Sequence, residues 1–488
     1  MPITQQCAGL APTLIPTAKE ISRISAWPLI ALALGFVMAM LDVTVVNVAL
    51  THIQASLDIS LAGLVWVVDG YTLTFAAFLL LGGAMANRYG ARAAYMAGLC
   101  IFVSASLLCG LAPSGAALVG ARLLQGVGAA LFMPASLSLL NQAYPEDSAR
   151  IKVLSLWSAI VSAAGATGPL VGGIVVAAVG WRFIFWLNIP IGLLGIMLGL
   201  RHLAPSPRHR QALGTIGHML AIIGLVAFSF VMINGASYGW SSMAILGAAA
   251  IGIAAILLFA MREQRSATPV VPRDLSRNSR FAATNGIGFF INLGAYGQLF
   301  LISLYLQQER GADAWHTGIA LLPLMAMFSI GSLLSGRISA RRDTRTTMLA
   351  GLATAGTIFI GLTIFATRMP YALLIVLMAA ANLGVGVAVP AMTVIMMQLA
   401  GQDHANIAAA ALNANRQIGA LVGVAVMGAA IHMQPDWSHG LPWMCGVVAI
   451  AYLVAVLIAA RYISASAPGR AMNLQDRVTR TPAPKFKT

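Results

Sequence analysis

The chain has 488 residues, 59% of them hydrophobic and 9% charged, with a mean hydropathy of +0.85. A soluble globular domain carries about a quarter charged residues, and disorder requires low hydrophobicity, so both classes are excluded. The net charge of +15 comes from 29 Lys and Arg, only four of them Lys. They cluster in short stretches between apolar runs, which speaks for the loops of a membrane protein and against a nucleic-acid surface.

Apolar runs of about 20 residues, each able to cross a ~30 Å hydrocarbon core, recur along the chain. Helices are the spanning element, because lipid offers backbone groups no partner. Hydropathy predicts fourteen spans: 27–50, 63–85, 93–112, 116–141, 152–178, 183–203, 215–234, 243–261, 281–306, 316–338, 347–367, 371–399, 405–432 and 441–463. Lys19, Glu20 and Arg23 precede the first span, and no small-residue cleavage site follows it, so it is read as a retained helix.

With a cytoplasmic N-terminus, 24 of the 29 basic residues fall in cytoplasmic segments; only Arg182, Arg310 and Arg368 fall outside, and Arg122 and Arg416 lie within helices. The positive-inside rule therefore puts both termini in the cytoplasm. The Pro- and Arg-containing stretch Ala204–Arg210 and the basic loop 262–280 divide the chain. This gives a tail at 1–26, a six-helix bundle at 27–203, a two-helix insert at 204–261, the loop 262–280, a second six-helix bundle at 281–463 and a tail at 464–488. Gly83-Ala-Met-Ala-Asn87-Arg88-Tyr-Gly90 and Gly336-Arg-Ile-Ser-Ala340-Arg341-Arg-Asp343 occupy equivalent loops of the two halves. Paired repeats of this kind enclose a midplane site in many transporters.

Ionisable groups inside spans cost roughly 2.5–3.5 kcal/mol each and mark function by default. Asp42 lies deep in the first span and is a candidate proton or cation site; the alternative is a helix-packing hydrogen bond or fixed ion pair. Asp69, in Trp66-Val-Val-Asp-Gly-Tyr71, is either a site residue or a charge favoured by a helix N-terminus. Arg122, Gln125, Gly126 and Ala129 share one helix face. Asp42 and Asp69 are the intramembrane carboxylates available to Arg122 in the first half, and its pair is either a tuned coupling site or a bridge that never titrates. Asn413, Arg416, Gln417 and Ala420 repeat the stripe, with Arg416 close enough to a helix end to snorkel. Gly165, Gly168 and Gly172 line one face around Pro169, a sliding interface or ordinary small-residue packing.

Trp27, Trp181, Trp186, Trp240 and Trp315 fit an interfacial belt. Tyr71, Tyr296 and Tyr305 are placed to stack on a cationic substrate or to pack in the core. His218, His316 and His432 are read as structural. Cys7, Cys100, Cys109 and Cys445 show no metal spacing, and no metal or disulfide is expected. No phosphate loop, HExxH or nucleophile elbow is present, so neither ATP hydrolysis nor enzymatic chemistry is expected and no cofactor is required.

The loop after the second span, Arg122–Ala130 and Gly165–Gly173 resemble three signature motifs of the major facilitator superfamily, the last its antiporter motif. Leu41–Leu50, Trp66–Tyr71, Trp181-Arg-Phe-Ile-Phe-Trp-Leu-Asn-Ile-Pro190 and Asn413-Ala-Asn-Arg-Gln-Ile-Gly419 are similar to its fourteen-helix drug:proton antiporter branch, the QacA/EmrB type. The resemblance covers residues 27–463. It implies an all-α polytopic fold of two six-helix bundles plus a two-helix insert, in a bacterial inner membrane. It also implies alternating access and export of lipophilic, often cationic drugs in exchange for protons.

By the same resemblance Asp42 and Arg122 are coupling residues, Asp69 recognises cations, and Gly165, Gly168, Pro169 and Gly172 form the pivot. Tyr71, Gln125, Asn413 and Tyr305 complete the expected substrate site. Gly83, Asn87, Arg88, Gly90 and Arg92 form a cytoplasmic gate, weakened because the family's Asp is Asn87 and its basic residue is Ala91. The expected partners are small-molecule drugs, protons and lipid, without nucleic acid; a periplasmic adaptor is left open. A dedicated exporter of one self-made metabolite and a non-transporting membrane sensor stand as alternatives.

Overall fold

The computed structural model describes residues 26–208, 215–266, 271–434 and 436–463, except the side chains at 147, 148, 151, 155, 402, 403 and 406. The expected tails at 1–25 and 464–488, with Cys7, Lys19, Glu20 and Arg23, lie outside the described residues, as does Arg210.

Among the described residues, fourteen helices are long and apolar enough to cross a membrane: α1 Trp27–Val48, α2 Leu61–Tyr89, α3 Ala91–Leu111, α4 Gly115–Ala143, α5 Lys152–Val179, α6 Arg182–His202, α7 Thr215–Tyr238, α8 Met243–Arg265, α9 Ser279–Glu309, α10 Ala314–Arg341, α11 Thr344–Phe365, α12 Tyr371–Gly401, α13 Ile407–Met433 and α14 Trp437–Tyr462. No strand occurs among the described residues. Short polar side chains start many of these helices by satisfying orphan N–H groups. Ser60 accepts from Gly63 N at 3.2 Å, Ser114 from Ala117 N at 3.3 Å, Asp313 from His316 N at 2.8 Å and Asp343 from Thr346 N at 3.0 Å.

The predicted spans hold, with local differences. The expected break after the twelfth span is one residue: α12 and α13 join through Gly401, whose φ of 66° favours glycine. A short helix, Leu50–Leu57, continues α1 beyond Ala49. α9 runs past its predicted end because Tyr305–Glu309 forms a π turn, a feature that hydropathy does not encode. α6 changes register at Leu187, between Arg182–Trp186 and Asn188–His202.

Arg88, Arg92, Arg201, Arg337 and Arg345 share one end of the bundle, called here the basic end. In the first half α4 packs closely on α2 and α3, and in the second α9 packs on α13 and α14. The halves meet along two seams, α5 against α10 and α2 against α13. Backbones touch where side chains vanish: a Cβ on Gly318 would sit 2.5 Å from Pro169 O, and one on Gly173 2.7 Å from Ala314 O. Small residues allow this approach in lipid.

α7 lies over the α2/α13 seam. Its Leu225 and Phe228 join a cluster with Leu73, Leu293 and Leu421, and Trp66 Nε1 donates to Asn234 Oδ1 at 3.4 Å. α8 packs on α7 and presents Leu246, Ile253, Leu257 and other apolar side chains outward.

Candidate functional site

In the first half, α1, α3, α4 and α6 converge on one carboxylate. Asp42, 3% exposed, accepts from Arg122 Nη1 in a very short buried ion pair. Gln125 Nε2 donates to Asp42 Oδ1 at 2.8 Å, and Asn188 Nδ2 donates to the same oxygen at 3.1 Å. Gln125 Nε2 also reaches Ser106 Oγ at 2.9 Å, while its Oε1 accepts from Arg122 Nη1 at 2.8 Å. Arg122 Nε donates to Val67 O at 3.0 Å, tying α4 to α2. Its guanidinium lies 4.7 Å from the Tyr71 ring centroid and 5.8 Å from that of Phe185.

Both charges are out of water, so they persist only with this full set of partners. Removing the Asp42 charge by a proton would strip Arg122 of its counter-ion. The Asp42 charge is thus tied to hydrogen bonds from Arg122, Gln125 and Asn188 at once.

Beside it, between the halves, is a small cavity of about 10 Å³, room for about one water. Asn47, Tyr71, Thr72, Arg122 and Tyr296 supply its polar and aromatic wall; valines and Ala420 supply the rest. Tyr71 Oη is buried without a hydrogen-bond partner. Asp42 is one layer behind this wall.

The sequence-predicted residues divide into several places. Asp42, Arg122, Gln125 and Tyr71 are brought together. Asp69 is fully buried, and neither carboxylate oxygen has a partner. It stands one turn from Val65, which packs on Gly428 of α13, and is not among the cavity-lining residues. Tyr305 is remote from that wall: it packs edge-on against Trp437, and its hydroxyl accepts from Arg310 Nε at 2.9 Å. It lies in the π turn at the end of α9. Asn413 is half-buried on α13 and does not line the cavity.

The expected common face of Gly165, Gly168 and Gly172 splits. Gly168 lies against Thr44 Oγ1 and Gly172 against Val45 of α1, whereas open space surrounds Gly165. Pro169 and Gly173 face α10 instead.

At the basic end Gly90 has φ 95°, and Arg92 donates to Leu200 O at 2.8 Å and, through its backbone N, to Ser206 Oγ at 3.3 Å. Asn87 and Arg88 are exposed, and nothing lies within 4 Å of a Cβ built on Gly83. At the opposite end, Gln307 Oε1 accepts from Thr51 Oγ1 at 2.6 Å, and Gln307 Nε2 donates to Asn47 O at 3.2 Å.

Sequence reasoning did not select Asn188, Ser106 or Gln307, and ranked Tyr296 low. Asn188 sits inside the Trp181–Pro190 motif, which was the available signal. In the second half Arg416 Nε approaches Asn292 Oδ1 at 3.5 Å, and its backbone carbonyl accepts from Asn292 Nδ2 at 2.9 Å. Among the described residues no cluster fit to hold a metal occurs, and Cys100, Cys109 and Cys445 are free thiols.

The model of the Major Facilitator Superfamily matches residues 32–213 and 200–424. The chain belongs to the major facilitator superfamily. It is a multi-pass membrane transporter, not an enzyme.

Among relatives in this family, the methylenomycin A resistance protein of Bacillus subtilis is 46% identical over 438 residues, 90% of this chain and 94% of that protein. The methylenomycin A resistance protein of Streptomyces coelicolor is 43% identical, over 94% of this chain and 97% of its own. Multidrug resistance protein Stp of Mycobacterium tuberculosis is 35% identical over 84% of this chain and 76% of its own. The crystal structure of a D-xylose-proton symporter superposes with a TM-score of 0.65 at 12% identity, covering 90% of this chain and 98% of that one, which shows a shared fold.

Proposed function

We propose that this transporter exports small-molecule drugs from a bacterial cell in exchange for protons, by alternating access across the inner membrane, with both termini in the cytoplasm. The observation that carries the reading is the Asp42 carboxylate, buried and held by Arg122, Gln125 and Asn188, with Arg122 itself lining the central cavity. Drug-resistance relatives matched over most of their length support the export of drugs. The basic end supports the orientation.

In this scheme Asp42 takes a proton when the cavity faces outward. Neutralisation releases Arg122 from its counter-ion and favours the state in which the halves rearrange. The proton leaves toward the cytoplasm, the ion pair re-forms, and cargo binding accompanies that step. Gln307 clasps the outer end and must let go for release, while Gly168, Gly172, Gly173 and Gly318 let α1, α5 and α10 move as close-packed surfaces. Asp69, whose buried carboxylate oxygens have no hydrogen-bond partner, takes no part in this scheme.

The test uses everted membrane vesicles with an acid interior reported by a pH-sensitive dye. Methylenomycin A, tetracenomycin C and ethidium are added singly. Drug-dependent proton exit that requires the expressed chain supports exchange, and drug movement that ignores the pH gradient contradicts it.

A further inference from the structure

The resemblance implies cationic cargo, yet no carboxylate lines the central cavity among the described residues. Asp42 has its oxygens occupied by Arg122, Gln125 and Asn188 and stands behind the wall. What faces the cavity is the guanidinium of Arg122. Its Nε and Nη1 are committed to Val67 O, Asp42 and Gln125, which leaves Nη2 as a donor.

The aromatic surface most suited to a cation is already used: Arg122 lies over the Tyr71 ring at 4.7 Å. The other cavity tyrosine, Tyr296, lies within the electrostatic reach of Arg416. Arg416 contacts Asn292, a neutral amide, and has no ion pair among the described residues. The Arg122 guanidinium, balanced by Asp42, therefore lines the cavity, and Arg416, which does not line it, adds a positive charge without a counter-ion on the side of Tyr296. In a low-dielectric site a third positive charge would be repelled by both.

The remaining polar equipment points the same way. Tyr71 Oη is buried and unsatisfied, and Thr72 and Tyr296 add hydroxyl groups to the wall. A buried donor without a partner costs free energy until an acceptor arrives. We infer that the cavity takes its cargo through a hydrogen-bond-accepting oxygen, a carbonyl or carboxylate set against Arg122 and the tyrosine hydroxyls, and rejects lipophilic cations. This rests on the exchange reading only for the claim that the cavity is the transport site.

The two oxygen sources differ in one respect. A carboxylate feels the Asp42 proton, because neutralising Asp42 leaves Arg122 uncompensated, and by reciprocity its binding strengthens as that proton is taken up. This is the opposite of exchange, so a carboxylate that binds with proton uptake supports the cavity inference and overturns the exchange reading. A neutral carbonyl lacks this charge coupling.

The test is equilibrium binding to the purified full-length transporter in detergent, with three xanthones that differ in one substituent: hydroxymethyl, carboxylate or trimethylammoniomethyl. The same compounds are then added to proteoliposomes carrying a pH gradient. The inference expects the hydroxymethyl or the carboxylate compound to bind at least about tenfold more tightly than the ammonium compound. It also expects Tyr296→Phe to weaken the tighter ligand about three- to tenfold, the effect of one hydrogen bond, with thermal unfolding unchanged. Equal or tighter binding of the ammonium compound overturns it, and so does binding of none of the three. Oxygen-selective binding without proton movement supports the cavity inference and overturns the exchange reading; ammonium-driven proton movement does the reverse.

Discussion

Asp42 of α1 and Arg122 of α4, 80 residues apart in sequence, form an ion pair in which each side chain is 1% exposed. Around it, neutral donors from α4 and α6 complete the coordination of the carboxylate, so its charge does not rest on Arg122 alone. A pair of this kind is weak evidence for stability, but breaking one side is expensive. Arg122→Gln should damage folding more than Asp42→Asn, because it also removes the bond to Val67 O and the packing on Tyr71, whereas Asn keeps the shape of Asp42. Thermal unfolding in detergent would show the ranking, with Asp42→Asn the closer of the two to the wild type.

Asn188 is the further donor to Asp42 that arises outside α4. Asn188→Ala removes a hydrogen bond to a charged acceptor, worth about 1.5–3 kcal/mol. Drug-driven proton flux should fall about ten- to hundredfold while insertion persists. Wild-type flux in that variant would show that Asp42 does not need this support.

The glycines of α5 give a graded steric test. A Cβ at Gly168 would overlap Thr44 Oγ1, and one at Gly318 would stand 2.5 Å from Pro169 O, whereas Gly165 has open space. Gly168→Val and Gly318→Val should therefore lose transport and stability by a few kcal/mol, in the range of overpacked cores, while Gly165→Ala stays within about 0.5 kcal/mol. Uniform effects across the three would contradict the assigned faces.

Gln307 joins the halves at the end opposite the basic loops. Gln307→Leu removes the bonds to Thr51 and Asn47 and should shift the population toward states open at that end. With the native cysteines replaced, a cysteine at Ser303, now fully buried, should react with a membrane-impermeant maleimide several-fold faster in that background. Unchanged labelling would remove Gln307 from the outer closure.

Much of the fold was legible because crossing lipid demands long apolar helices and leaves few places for charge. The Arg122–Asp42 pairing was legible for the same reason, since a buried guanidinium needs a carboxylate and two stood within reach in the first half. Asn188 and Ser106 were not legible, because a neutral polar residue inside a helix creates no comparable energetic anomaly and its partner lies on another helix. Tyr305 lies away from the cavity for a local reason: it sits in the π turn and packs on Trp437, and hydropathy does not encode such a turn. The face assigned to Gly165 failed because spacing defines a stripe but not which neighbour approaches each turn. Tyr296 entered the cavity through the packing of the two halves, which no single-helix pattern records.

Outside the spans, Asp436 caps α14, accepting from Ser438 N at 2.9 Å and Ser438 Oγ at 2.6 Å. These bonds and His439 hold its carboxyl below the usual value, at about 2. A depressed folded-state value means the contribution is complete above the ordinary value of 3.8 and is lost as pH falls toward about 2. The wild type should therefore lose its advantage over Asp436→Ala on acidification from pH 5 to pH 2.5, read as the difference in thermal midpoint; an advantage that grows on acidification would contradict the cap.

The central claim is that Asp42 carries the exchanged proton. Purified protein in weakly buffered detergent solution is mixed with a drug that drives proton exit in the vesicles, and released protons are counted with a pH dye. The wild type should release protons on binding and Asp42→Asn should bind the drug without that release. Wild-type proton release from Asp42→Asn would contradict the account.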